Sequence, residues 1–233
     1  MLLGGLQKVS LIDYPSKLAA TVFTVGCNFF CPFCHNPELV LVQKTKNFPL
    51  ISEDEFFWWL ETRVGLLEGV CVSGGEPTLQ SDLPDFIKSI KDLGFAVKLD
   101  TNGSNPEMLE QMCKDNLLDY VAMDIKVPLE KYPQFFGSRI KPQNIAKSVK
   151  LLRQMPQYEF RTTVLPAWHK REDLLNIGRW LENSKKFTLQ QFRPVNTLDP
   201  SFVNFQPYPD KIMQDFCRML QPYFETCDLR LNA

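Results

Sequence analysis

The sequence lacks the features that would send the chain to a nucleic acid or a membrane. Its 26 Lys+Arg are offset by 27 Asp+Glu, a formal net charge of −1, so no global basic field recommends a polyanionic partner. No run approaches the ~18 apolar residues that a membrane span needs. Met1 to Ser10 has no basic start followed by an apolar core, so a cytoplasmic protein is expected rather than an exported one. Repeats, low-complexity tracts and obvious linkers are missing too. What is present is ordinary for a globular protein: 233 residues, 44% hydrophobic and 23% charged, enough for a sizeable core. A near-neutral enzyme that handles a small ligand, or docks one protein, fits this composition. One domain is expected over 1–233, with a core of about 19–200 and a C-terminal helical extension over 201–233.

A disulfide framework is also unexpected. Seven cysteines form an odd set, and three of them, Cys27, Cys31 and Cys34, crowd into eight positions. In a reducing compartment that pattern reads as metal binding. Three soft thiolates on one short loop can converge on a single metal centre. A structural zinc site wants four ligands; His35 directly follows Cys34, and adjacent ligands strain a tetrahedral site. An iron–sulfur cube normally takes four cysteines, so three would leave one iron open to a substrate or cofactor. Zinc remains the alternative at this point. Cys71, Cys113, Cys217 and Cys227 read as small buried hydrophobes.

Strand-like and helix-like segments alternate along the chain. Strands are expected at Ala19–Val25, Val70–Ser73, Ala96–Asp100, Tyr120–Ile125, Tyr158–Leu165 and Phe187–Phe192. Helices are expected from the Ser52–Glu55 capping box to about Leu66, at Leu83–Leu93, from Asn105-Pro106, and at Asn144–Gln154, Glu172–Asn183 and Lys211–Leu220. Six β-then-α units imply α/β class with parallel strands and right-handed crossovers, as an open sheet or a partial (β/α)6 barrel. Ligands bind such sheets at the carboxyl ends of the strands.

The polar motifs sit at those ends. Val72-Ser73-Gly74-Gly75-Glu76-Pro77 ends the second strand; two glycines let backbone approach a ligand, and a carboxylate can hold an ammonium group. The plain alternative is a tight turn with a solvated glutamate. Lys98-Leu99-Asp100-Thr101-Asn102-Gly103 ends the third strand; Asp100 and Asn102 could bond a ribose or a carboxylate-bound cation, or simply make an Asx-turn. Asp124 and Lys126 share one face of the fourth strand, with Ile125 on the other. Arg161, Arg193 and Asn196 follow later strands and could line the pocket, with solvated rim positions as the plain reading. His169, one of two histidines, reads as a surface residue. Phe56, Phe57, Trp58 and Trp59 are too contiguous for one stripe, so some must be buried.

A C-x3-C-x2-C loop with an aromatic, Phe33, before the last cysteine resembles the radical S-adenosylmethionine (SAM) superfamily. The continuation Cys34-His35-Asn36-Pro37-Glu38 is similar to activating enzymes of glycyl radical enzymes. The lead-in Gly4-Gly5-Leu6-Gln7-Lys8 and Leu11-Ile12-Asp13-Tyr14-Pro15 resembles the anaerobic ribonucleoside-triphosphate reductase activating proteins. The resemblance, from about Gly4 to Pro200, implies a radical SAM-type barrel with a [4Fe–4S] cluster on Cys27, Cys31 and Cys34. It implies that Gly74, Gly75 and Glu76 hold the SAM amino group and that Phe33 lies against the adenine. Asp100, Thr101, Asn102, Asp124, Lys126 and Asn196 would serve SAM. Asp100, Thr101, Asp124 and the Ala122 carbonyl would also hold a monovalent cation near its carboxylate. A flavodoxin or ferredoxin would supply one electron, and the 5′-deoxyadenosyl radical would take hydrogen from a glycine of a partner enzyme. The neighbouring alternative is a radical SAM enzyme acting on a small molecule, like the 7-carboxy-7-deazaguanine synthases, which usually follow the last cysteine with Asp where this chain has His35. A non-enzymatic iron–sulfur or zinc scaffold leaves the strand-end motifs unexplained.

Overall fold

The computed structural model describes residues 1–40 and 49–231. Two compact units divide the chain. The first takes Met1–Asn28, Asn36–Thr101 and Glu107–Val121; the second takes Phe29–His35, Asn102–Pro106 and Ala122–Ala233.

In the first unit, β1 (Leu3–Ser10) pairs antiparallel with β2 (Ala19–Thr24), which runs parallel to β3 (Gly69–Gly74), itself parallel to β4 (Ala96–Thr101). Strands β2 and β3 are buried over most of their length, as expected of parallel strands covered on both faces, and so they read as continuous apolar runs. After the short helix α1 (Pro37–Val40) comes α2 (Glu53–Glu61), opened by the Ser52 side chain, whose Oγ accepts the Glu55 N–H at 3.1 Å. This helix stops short of Leu66 because Thr62 Oγ1 donates back to the Trp59 carbonyl at 2.6 Å and Gly65 then takes φ +77°. Phe56 and Trp59 face the core and Trp58 faces solvent. In α3 (Leu83–Asp92) Leu83, Phe86, Ile87 and Ile90 are buried, the i, i+3, i+4, i+7 stripe of a helix lying on a sheet. α4 (Pro106–Lys114) follows β4.

β5 (Tyr120–Asp124) leads into the second unit, where α5 (Tyr132–Phe136), α6 (Pro142–Leu152) and α7 (Arg171–Trp180) accompany β6 (Tyr158–Val164) and β7 (Ser184–Gln191). β6, β7 and β8 (Phe224–Arg230) are parallel neighbours. The stretch 201–233 is therefore not purely helical: α8 (Asp210–Leu220) is followed by β8. Strand order follows chain order within each unit, β1-β2-β3-β4 in the first and β6-β7-β8 in the second. The α/β class with parallel strands stands, with β1 and β8 appended outside the six expected strands.

Candidate functional site

At the exits of β2 and β3 the first unit leaves no room for side chains. Gly74 takes φ +112°, and a Cβ there would lie 2.4 Å from the Thr24 backbone; a Cβ on Gly75 would lie 2.1 Å from the Gly26 carbonyl oxygen. The two exits are stitched by Gly75 N–H donating to Thr24 O at 2.9 Å and Glu76 N–H donating to Gly26 O at 2.8 Å. Gly26 leads directly into Cys27. The Gly-Gly-Glu turn is thus built against the residue that aims the first cysteine.

Glu76 is fully buried, which rules out the solvated-turn reading. Its Oε1 accepts the Thr78 N–H at 3.2 Å, the Thr78 hydroxyl at 2.5 Å and the Thr101 hydroxyl at 2.7 Å. Three converging donors hold the carboxyl group in one rotamer. Asp100 accepts the Ser73 hydroxyl at 3.1 Å and is ion-paired with Lys98, whose buried side chain also reaches Cys71 Sγ at 3.6 Å. Ser73, Thr78 and Lys98 were not singled out in the sequence. Lys98 could have been: it shares a strand face with Asp100, as Lys126 does with Asp124.

In the second unit, Cys31 and Cys34 share a tight turn closed by Cys34 N–H donating to Cys31 O at 3.0 Å. Phe33 is buried edge-on against Trp168, ring centroids 4.9 Å apart. Asp124 accepts Lys126 Nζ at 2.8 Å and Arg161 Nε at 2.9 Å. Burial works against the Asp124 carboxylate, but Arg161 and then Lys126 overcome it and hold the carboxyl well below the usual range. For Lys126 burial likewise opposes the charge; Asp124 and then the Cys31 thiol overcome it, so the ammonium is reinforced. Burial pushes the Cys31 thiol up to about 12, with Lys126 pulling the other way. A thiol in that position stays protonated until a cationic centre ionises it, and a metal centre does so outright. A buried Cys31 thiol and a half-buried Cys34 thiol with an ammonium nearby suit the chemistry of an iron–sulfur cluster. The acidic members of the monovalent-cation set, Asp100 and Asp124, are each charge-compensated by basic side chains of their own unit.

Several expectations change. Arg161 is a buried partner of Asp124, not a solvated rim residue. His169 is wholly buried rather than superficial. Its Nδ1 accepts the Leu165 N–H at 3.1 Å, so Nε2 carries the proton donated to the Lys126 carbonyl at 2.8 Å. Asn102 makes the Asx-turn: its Oδ1 accepts the Ser104 N–H at 2.9 Å, ahead of Gly103 at φ +74°. Asn196 is exposed, and its Nδ2 donates to the His35 carbonyl at 3.1 Å. Cys71 is buried as expected, whereas Cys113, Cys217 and Cys227 are half-buried. Tyr132, whose hydroxyl accepts the Lys126 N–H at 3.1 Å, gave no sequence signal beyond an aromatic in a loop.

Comparison with known proteins gives a consistent picture. The family model of the radical SAM superfamily matches residues 21–177. A protein of Methanocaldococcus jannaschii named as a glycyl-radical enzyme activating enzyme is 32% identical over 98% of this chain and 95% of its own length. The pyruvate formate-lyase-activating enzyme of Streptococcus mutans is 26% identical over 84% of this chain and 78% of its own. A solved domain of a pyruvate-formate lyase-activating enzyme from Bacteroides vulgatus has the same fold, with TM-score 0.53 at 14% identity, covering 71% of this chain and 99% of that one. No helix among the described residues is long and apolar enough to cross a membrane.

Proposed function

The chain belongs to the radical SAM superfamily, an enzyme family that uses a [4Fe–4S] cluster and SAM, and from that premise we propose that it installs a glycyl radical on a partner protein. We assign the cluster to Cys27, Cys31 and Cys34. The observation that carries this reading is the near end-to-end likeness to a protein named as a glycyl-radical enzyme activating enzyme. The finer proposal is that the partner is an anaerobic ribonucleoside-triphosphate reductase and the electron donor a flavodoxin or ferredoxin; the Gly4–Lys8 and Leu11–Pro15 lead-in supports it.

When bound, the cluster and SAM supply the one-electron reductive cleavage with which the family starts hydrogen abstraction. The protein's own groups bind, orient and compensate charge. Glu76 offers a carboxylate, fixed by Thr78 and Thr101, to the SAM amino group; Gly74 and Gly75 keep the backbone beside it bare. Asp100, Thr101 and Asn102 serve the rest of SAM from the end of β4. Lys126 offsets the charge that Cys31 and Cys34 acquire on binding metal. Asp124 and Arg161 hold Lys126 in place. Phe33, backed by Trp168, closes the loop against water.

The test is isotopic. A glycyl radical enzyme from the same organism is labelled with α-deuterated glycine and mixed with the reduced protein and SAM. Deuterium should appear in 5′-deoxyadenosine. Label confined to the partner, with SAM consumed in proportion to a modified small molecule, would instead favour the small-molecule class.

A further inference from the structure

The sequence offers Asn196 as a SAM ligand, yet the structure engages its amide nitrogen elsewhere. Segment 193–199, at the exit of β7, is laced to the cysteine loop by four hydrogen bonds within the second unit. Two are reciprocal side-chain-to-backbone bonds: His35 Nε2–H donates to the Arg193 carbonyl at 2.8 Å, and Asn196 Nδ2–H donates to the His35 carbonyl at 3.1 Å. A carbonyl can only accept, which fixes the His35 tautomer with its proton on Nε2. The other two are backbone bonds: Leu198 N–H donates to the Cys34 carbonyl at 3.0 Å and Asp199 N–H to the Pro32 carbonyl at 2.9 Å. Every residue from Pro32 to His35 except Phe33 is thus tied by its carbonyl to segment 193–199. Phe33 is held instead by Trp168 and Phe192, and the His35 ring stacks on that same Phe192, 17° from parallel.

The clasp segment is stiff in its own right. Asn196 sits at φ +46°, a left-handed conformation that asparagine tolerates better than most residues. Val195 N–H donates to the Arg193 carbonyl at 2.9 Å, Thr197 Oγ1 to the Asp199 carbonyl at 2.7 Å, and Ser201 N–H to Asp199 Oδ1 at 2.9 Å. Within the short loop carrying two soft ligands, Cys34 N–H donates to Cys31 O at 3.0 Å. The bonds to segment 193–199 hold that turn from outside.

We propose that His35 and Asn196 are positioning residues that form a reciprocal clasp, fixing the orientation of the Cys31–Cys34 turn and so the retention and electronic environment of the metal centre it carries. They act on the peptide units that carry the cysteines, as partners of metal ligands commonly do. The proposal rests on the assignment of Cys31 and Cys34 as cluster ligands.

Two variants separate the clasp from general stability. Asn196→Gly keeps the left-handed backbone and removes only the amide. His35→Phe keeps a ring on Phe192 and removes the N–H donor. In anaerobically reconstituted protein, iron transfer to bathophenanthroline should be about fivefold or more faster in each variant, the factor that the loss of one hydrogen bond supplies. The double variant should be no faster than the product of the single effects. The spin-resonance spectrum of the reduced cluster should shift in its g-values, while the thermal midpoint of the metal-free protein stays within about 3 °C of the parent. Amide exchange in metal-free protein is the independent arm: Leu198 and Asp199 N–H should exchange about fivefold or more faster in both variants. Release rates, spectra and exchange all matching the parent would overturn the clasp. A parent protein that takes up no iron–sulfur cluster would count against the cluster assignment instead, and the exchange arm would still decide whether the clasp exists.

Discussion

Thr101 Oγ1 donates to Glu76 Oε1 at 2.7 Å, joining the end of β4 to the turn that leaves β3. The carboxylate proposed for the SAM amino group is therefore preset before any ligand arrives. Glu76→Gln keeps an oxygen for the threonine donors but loses the charge. SAM affinity of the reconstituted protein should fall about tenfold or more, the usual worth of a charge-assisted bond. Titration calorimetry reads it; unchanged affinity would make the turn purely structural.

Cys31→Ala removes the most buried of the three loop thiols. Anaerobically purified variant should lose most of its iron, sulfide and visible absorbance, while far-ultraviolet circular dichroism stays native, because both units have apolar cores that need no metal to form. A variant that keeps full iron and sulfide would remove Cys31 from the ligand set.

Gly75→Ala places a methyl 2.1 Å from the Gly26 carbonyl, a backbone atom that cannot rotate away. The expected cost is at least about 2 kcal/mol of stability. Cluster content should fall as well, since Gly26 precedes Cys27. Chemical denaturation and iron analysis on the same preparation check both; Gly94→Ala, whose Cβ would meet nothing within 4 Å, is the control for backbone strain alone.

Burial lowers the His169 pKa to about 4 despite its two hydrogen bonds. The neutral ring is the folded form, so this residue's contribution to stability is complete above the unfolded pKa near 6.5. It is lost progressively as pH falls from there to about 4, where it amounts to about 3 kcal/mol. His169→Gln, which can keep the donor to the Lys126 carbonyl, should flatten the stability-versus-pH slope in that window. An unchanged slope in urea denaturation across pH 6.5 to 4 would refute it.

The sequence made some of this legible and hid the rest for identifiable reasons. The alternating β and α segments were readable because α3 repeats apolar residues at helical spacing and β2 and β3 are apolar on both faces. β1 and β8 escaped because each is only partly buried: Gln7, Lys8 and Val9 face solvent, as do Glu225 and Thr226. Position at a strand end was readable for Glu76, Asp100 and Asp124. Their partners were not, because Thr78, Arg161 and Lys98 acquire their roles through ordinary side-chain geometry that no spacing rule flags except on a shared strand face. His169 misled because its burial depends on the Lys126 carbonyl, 43 residues away.

Electron spin resonance reads directly whether the chain, as proposed, places a radical on a glycine of another protein. Reduced protein, SAM and a candidate glycyl radical enzyme should give a glycine-centred doublet in electron spin resonance. The doublet should belong to the partner, collapse when the partner carries α-deuterated glycine, and be absent with Cys31→Ala. SAM cleavage without a protein-based radical in any glycyl radical enzyme of the same organism would contradict the account.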